Sequence, residues 1–404
     1  MATRVGAPSA PCILPALTTY PTGVWLIGAA GHVGTCTLAG WAAVGAGLIP
    51  PTGLVTAAGP LAAAPLCGFD AAVFGGHDLG APALTASADA LVAEGILPAA
   101  VVAAAPVQAA LRQAQAELRV GVDGVGGWDE LVRVRAELAA FRERHRLARV
   151  VVVNLASTEP PATVAGLPVE PDALLAAVRA GARLPASAIY ALAALDLGLA
   201  YVNFTPSLGS DLPALDALAR VRGGVHAGAD GKTGQTLLKT VLAPMFAIRR
   251  LAVKSWVSHN LLGNADGRAL DDPDRRASKQ RSKGAALGAI LGYEPEHKVG
   301  IEYVPSYGDW KLAWDRIVFA GFGGAEMTLE LTWRGSDTAL AAPLCIDLIR
   351  LVELAQRRGE VGVLPHLAVF FKKPLGTDEH RLERQWQALL DHVLAPGPGA
   401  GAER

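Results

Sequence analysis

Short apolar runs alternate with longer Ala/Leu-rich stretches along the first half of the chain. Val24-Trp25-Leu26-Ile27 reads as a buried strand, and further strands are predicted at Ala71–Phe74, Arg149–Asn154 and Ala200–Phe204. Between them the periodicity predicts helices within 84–117 and 127–147. Such alternation favours a parallel sheet flanked by helices. Beyond residue 230 the texture changes and becomes richer in charge and tryptophan. A strand is predicted over Val299–Val304, a hydrophobic helix over 339–356, and a strand over 366–371. The first 20 residues are proline-rich and predicted irregular, and 395–404, rich in Pro, Gly and Ala, are predicted frayed. No internal repeat is present.

Composition narrows the classes. The 404 residues are 51% hydrophobic and 18% charged, which excludes a mainly disordered chain. The formal charge of −1 argues against nucleic acid as a partner. Gly23 to Pro50 carries no formal charge, but seven glycines break it and His32 lies inside it, so no membrane span is assigned. No signal-peptide pattern precedes it, and a cytoplasmic protein is expected. Cys12, Cys36, Cys67 and Cys345 are scattered and read as small buried thiols in a reducing compartment.

The first chemical signal follows the first strand. Gly28-Ala-Ala-Gly31-His32-Val33-Gly34 opens an apolar helix, and strand, glycine turn and helix together begin a dinucleotide-binding unit. Glycines let the backbone approach a pyrophosphate, and the helix N-terminus offers free N–H groups. The spacing is GxxGxxG, and Pro50-Pro51 stands where an acidic residue is expected about 20 positions on. A glycine-rich turn of any α/β domain has the same appearance. Asn154-Leu-Ala-Ser157-Thr158 closes the strand 149–154, at the end where open sheets gather ligands.

Other polar groups lie further along. Gly231-Lys232-Thr233 is not a Walker loop, because His226 occupies the position of the required glycine. Lys279 and Lys283 are spaced i, i+4. On a helix they would repel, which a phosphate would offset; a solvated basic face is the alternative. Asp309-Trp310-Lys311 and Lys372-Lys373 follow apolar runs, where lysines either snorkel or project into a cleft to stabilise an oxyanion. Asn260 to Gly267 is a polar turn able to bind sugar hydroxyls or a cation. No zinc motif or nucleophile elbow is present.

In order, these pieces resemble the myo-inositol-1-phosphate synthase (inositol-3-phosphate synthase) family from about Val24 to Leu375. The resemblance rests on Phe74-Gly-Gly-His-Asp78, Val152 to Pro160, Lys232-Thr-Gly-Gln-Thr236 and His259 to Asp266. It continues through Ser278-Lys279 with Ser282-Lys283, Tyr303 to Lys311, and Asp337-Thr338 to Pro343. It implies an isomerase that converts glucose 6-phosphate to an inositol phosphate by oxidation at C5, aldol cyclisation and re-reduction, with NAD recycled internally. A related cyclase or epimerase of another sugar phosphate, or a silent NAD-binding oligomer, is the alternative.

The implied fold is α/β, a Rossmann-like NAD-binding domain over 15–238 with an inserted α+β catalytic and oligomerisation domain at 239–338 and a return at 339–404; residues 1–14 form an irregular N-terminus. By resemblance, Lys279, Lys283, Lys311 and Lys372 form the catalytic set. Asp230 and Asp309 would orient the lysines, and Asn260 and Asp266 would contact substrate. Gly28, Gly31, His32, Val33, Gly34, Asp78, Asn154, Ser157, Thr158, Asp337 and Thr338 would lie on the cofactor side. A sugar phosphate is the implied partner and a homotetramer the implied assembly. A divalent or monovalent cation is left open, with no metal ligand assigned. The chain departs from the family pattern at Ala29-Ala30 in the glycine turn, at Ala265, and at Trp310, where a serine is common.

Overall fold

The computed structural model describes residues 21–70, 72–80, 83–163, 165–263 and 287–395. Seven strands form one all-parallel sheet: β1 (Thr22–Ile27), β2 (Ala72–Asp78), β3 (Leu118–Val120), β5 (Arg149–Asn154), β7 (Ala200–Asn203), β8 (Val225–Gly228) and β13 (Gly362–Val363). Their spatial order is β13-β8-β7-β5-β1-β2-β3. A two-stranded ribbon pairs β4 (Val125–Gly126) with β6 (Leu184–Pro185).

Both faces of the large sheet are covered, which explains its near-continuous apolar strands. Val24, Leu26, Val151 and Val153 join one core cluster, shared with helices His32–Gly45 and Asp337–Arg357. Trp25, Val150, Val152 and Tyr201 join the cluster on the other face, with helices Trp128–Arg144 and Ala186–Asp196. The indole of Trp25 donates to His77 Nδ1 at 2.7 Å, satisfying its N–H inside the core.

Local signals set the helix ends. Helix Pro213–Arg222 starts on a proline and stops at Gly223, which is left-handed at φ 77°. In helix Trp128–Arg144, Glu130 accepts the Gly127 N–H at 2.6 Å, acids occupy the first turn and arginines the last. The predicted helical stretch 84–117 is three helices, Leu84–Ala93, Ala99–Val102 and Ala105–Ala116, interrupted at Gly95 (φ 71°) and Pro98.

A second sheet lies within 252–336: β9 (Ala252–Leu262), β10 (Glu296–Tyr303), β11 (Trp310–Ala320) and β12 (Glu326–Ser336), in order β10-β9-β11-β12. β12 runs straight into helix Asp337–Arg357, which returns the chain to the large sheet. Ser336 caps that helix by accepting the Ala339 N–H at 3.0 Å. Gly40 of the first helix faces Ile346 of this one, leaving 3.6 Å between an added Cβ and the isoleucine methyl.

The strand predicted at 366–371 does not form. Pro365–Phe370 is a 3-10 turn, with Leu367 N–H on Leu364 O and Phe371 N–H on Ala368 O. A short apolar run carries no period able to separate the two states, and Pro365 starts the turn. Only Phe371 makes a sheet-like bridge, to Gly231. Among the described residues, no helix is long and apolar enough to cross a membrane. Cys36 and Cys345 are buried free thiols, whereas Cys67 is only partly buried.

Candidate functional site

The glycine turn sits where the sheet's strand order reverses, between β1 and β5, the point at which open α/β sheets bind ligands. Gly28 has φ 79°, and an added Cβ would lie 3.1 Å from the Ala156 backbone in the loop after β5. At Gly34 an added Cβ would lie 2.6 Å from Ala29 O and 2.7 Å from Gly28 O. The turn is therefore closed as tightly as backbone permits. The helix it opens starts on Gly31 without a side-chain cap and without an acid in its first turn. Its first N–H groups and positive dipole end remain suited to an anion such as a pyrophosphate.

The acidic residue missing at Pro50 is found elsewhere. Segment 46–70 intervenes between the first helix and β2, and β2 ends in Asp78. Asp78 Oδ2 accepts the Ala30 N–H at 2.8 Å, fastening the turn from the neighbouring strand. Asn154, at the end of β5, is buried and spends its side chain on Asn203, Thr205 and the Ala156 N–H. It shapes the loop carrying Ser157 and Thr158 instead of facing outward; Ser157 on that loop is exposed. Val33 is part-buried, and its carbonyl accepts the Thr37 hydroxyl.

Asp309 links this turn to the second sheet. It is 3% exposed, and its carboxylate accepts Ser336 Oγ at 2.5 Å and Thr338 Oγ1 at 2.8 Å, with His32 Nδ1 at 3.3 Å. Its backbone N–H donates to Glu94 at 3.2 Å, and the Trp310 indole donates to Glu94 O at 2.9 Å. The tryptophan at the departure from the family pattern thus ties the second sheet to the end of helix Leu84–Ala93. The expected orientation of a lysine by Asp309 is not observed. Lys311 Nζ instead reaches Asp337 Oδ2 at 3.3 Å; Asp309 lies in the turn before β11, outside the regular alternation of the strand.

His32 carries a raised pKa, chiefly because its ring hydrogen-bonds Asp309, with burial opposing and the charges of Asp309 and Glu94 adding. A folded value above the unfolded 6.5 means the pairing stabilises fully below that pH and fades as pH rises through the folded value. His32→Gln is therefore expected to lower the melting temperature at about pH 5 and to have little effect at about pH 9. An equal loss at both pH values would refute this.

Asp230 and Lys372 form the second charged pair. Lys372 Nζ donates to Asp230 Oδ1 at 2.8 Å; Asp230 is 5% exposed and has φ 64°. The backbones agree: Lys372 N–H donates to Asp230 O at 2.7 Å, and Lys232 N–H to Phe370 O at 2.8 Å. The two lysine pairs lie against the same segment at different points. Gly234, four residues after Asp230 and at the start of helix Gly234–Ile248, would place an added Cβ 3.8 Å from Lys311 Nζ and 4.0 Å from Asp337 Oδ1. From the glycine turn, His32 reaches Asp309 and Asp309 reaches Thr338; the adjacent Asp337 pairs with Lys311 beside Gly234, and Asp230, four residues before Gly234, pairs with Lys372. Lys279, Lys283 and Asp266 lie outside the described residues.

Asn260 is fully buried, contrary to the contact with substrate expected of it. Its amide donates to Gln235 Oε1 at 2.5 Å, while its Oδ1 has no partner among the described residues. Gln235 in turn donates to Asp315, which also accepts Trp256 and Ser258. The sequence gives no signal for Glu94 or for Asp315, the centre of this network, because neither stands in a motif with chemical spacing. Lys232 is also buried, donating to Gln385 at 2.5 Å, and desolvation lowers its pKa to about 8.

A family model for NAD-binding proteins, described as myo-inositol-1-phosphate synthase, matches residues 22–393. The chain belongs to the myo-inositol-1-phosphate synthase family. Among relatives, inositol-3-phosphate synthase 1 of Bacteroides thetaiotaomicron is 36% identical over 276 residues, 64% of this chain and 64% of that protein. Inositol-3-phosphate synthase 1 of Rattus norvegicus is 33% identical over 267 residues, 61% of this chain and 48% of that protein. The chain thus spans from about half to just under two thirds of the length of these curated relatives. The solved inositol-3-phosphate synthase of Caenorhabditis elegans shares the fold of this synthase-family chain, with a TM-score of 0.82 at 23% identity, covering 95% of this chain and 88% of that one. A myo-inositol-1-phosphate synthase-related protein from Thermotoga maritima superposes with a TM-score of 0.74 at 24% identity, covering 94% of this chain and 100% of that one.

Proposed function

We propose that this chain is an inositol-3-phosphate synthase, an isomerase converting D-glucose 6-phosphate to 1D-myo-inositol 3-phosphate. The observation that carries the reading is that Lys372 and Lys311, each beside a carboxylate, lie against the two ends of the segment Asp230–Gly234, with Asp309 and His32 leading from there towards the glycine turn.

When bound, NAD supplies a hydride acceptor at C5 and returns the hydride at the end, leaving no net redox change. The protein's part is electrostatic and positional. The turn Gly28–Gly34 and the helix N-terminus suit the pyrophosphate, and Asp337 and Thr338 sit between that turn and Lys311, fitting the nicotinamide side. Lys311 is assigned to the C1 oxygen during the aldol step and Lys279 to the C5 oxygen; Lys283 and Lys372 are assigned to the phosphate and developing charge. Asp230 holds Lys372 in place until substrate shares it.

The division into 15–238, 239–338 and 339–404 is supported by the distribution of the strands. All four strands of the second sheet fall within 239–338, and β13 returns the chain to the first sheet after 339. We place the protein in the cytoplasm as a homotetramer assembled through the second sheet, whose hairpin exposes Phe322 and Met327. A tetrameric mass in solution is the expected result; a fully active monomer would reject that assembly.

The test of the reaction is purified protein with glucose 6-phosphate and NAD, followed by product NMR. Inositol phosphate without net NADH is the expected outcome. Accumulating NADH would indicate a dehydrogenase, and NAD binding without turnover a silent protein; either result would overturn the reading.

A further inference from the structure

Away from the lysine loop, three potential metal ligands converge from three segments near the end of the chain. Glu360 follows the helix Asp337–Arg357, His366 lies in the 3-10 turn Pro365–Phe370, and His392 is in the last turn of helix Leu382–Leu394. One ligand atom from each lies within 4.8 Å of the others. His392 Nε2 is 3.0 Å from both carboxylate oxygens of Glu360. The two imidazoles are stacked, with centroids 3.6 Å apart and planes 10° from parallel.

His366 makes the cluster more than a surface ion pair. It is only 8% exposed, yet its ring nitrogens make no hydrogen bond to any described residue. The ring thus has no hydrogen-bonding partner among the described residues, and its nitrogens, which solvent still reaches, are open to a ligand. Arg358 is the nearby opposing charge, but its guanidinium is committed to the carbonyls of His392, Val393 and Ala395. Glu360 supplies the compensating negative charge.

We propose that Glu360, His366 and His392 form a metal site of the zinc class, which clips the last helix onto the turn that leads into Lys372. Two imidazoles with one carboxylate suit Zn²⁺ and its neighbours Co²⁺ and Ni²⁺, whereas Mg²⁺ and Ca²⁺ favour all-oxygen shells. Binding requires the rings to turn out of their parallel stack, so that both lone pairs and one carboxylate oxygen point at a common centre. The partly exposed edge formed by Glu360 and His392 leaves the remaining coordination position to water.

The full chain, freed of metal with a chelator, is titrated with Zn²⁺ by equilibrium dialysis and with Co²⁺ by visible absorption. Wild type should bind one equivalent of Zn²⁺ more than His366→Gln, and should show a cobalt d–d band that this variant lacks. Glu360→Gln keeps an acceptor for His392 and so the metal-free contact. It should fold as wild type does, by circular dichroism, and lose the same equivalent. Equal stoichiometry and equal cobalt bands in wild type and both variants would overturn the proposal. Comparing variants cancels any cation held near the lysine loop.

Discussion

Replacing Lys372 by methionine is expected to lower inositol phosphate formation by about 10²–10³-fold, the range typical of losing one oriented charge on a developing oxyanion. The substitution also leaves Asp230 without its ammonium. That carboxylate is nearly buried, and stranding a buried charge costs about 3–5 kcal/mol. Lys372→Met alone would therefore melt earlier, and reduced turnover could reflect instability. The double variant Lys372→Met with Asp230→Asn removes both charges together and should recover most of the stability. It should not recover turnover. Thermal melting and product formation measured on wild type and both variants separate the two effects. Recovery of turnover along with stability would show that the pair holds the fold and that Lys372 takes no part in the chemistry.

The same pair shows where sequence reading reaches its limit. Strand 149–154 is legible because it is buried on both faces, and only a central parallel strand needs so unbroken an apolar run. The glycine turn is legible because Gly28 and Gly34 each sit where a side chain would meet backbone. Asp78 is harder to assign as the acid of β2, because segment 46–70 stretches a spacing that is normally short. The interrupted helix 84–117 hides for a related reason: alanine favours a helix on both sides of Gly95 and Pro98.

The carboxylates divide differently. That Asp230 faces Lys372 depends on the 3-10 turn 365–370 laying its end against the loop after β8, which no local pattern encodes. Asp309 and Lys311 stand two residues apart in the sequence, yet they bind different neighbours, one Ser336, Thr338 and His32, the other Asp337, because Asp309 lies in the turn before β11. Glu94 and Asp315 stand in no motif, and the partners of Gln235 and Asn260 are not legible from the motifs that hold them. The importance of Gln235, Asn260 and Asp315 comes from burial, since a buried amide or carboxylate must find donors and acceptors in the elements that happen to pack over it, while the half-buried Glu94 matters through its bonds to Asp309 and Trp310.

Gly34→Ala is expected to weaken NAD binding by at least about tenfold, equivalent to about 1.4 kcal/mol. The added methyl would meet two carbonyl oxygens of the same turn, Ala29 O and Gly28 O, well inside contact distance. Backbone oxygens cannot rotate aside as a side chain would, so the turn must open. Opening it shifts the Ala30 N–H held by Asp78 and the helix N–H groups that a pyrophosphate would engage. Gly40→Ala, six residues along the same helix, provides the contrast. Its methyl would lie 3.6 Å from Ile346, an ordinary packing distance, and alanine is favoured over glycine inside a helix by about 0.5–1 kcal/mol. That variant should melt slightly higher and bind NAD unchanged. Titration of the cofactor by calorimetry, beside melting curves, checks both. If Gly34→Ala bound NAD as wild type does, the pyrophosphate could not lie on this turn, and the lysine loop would no longer be connected to the nicotinamide by the route through His32 and Asp309.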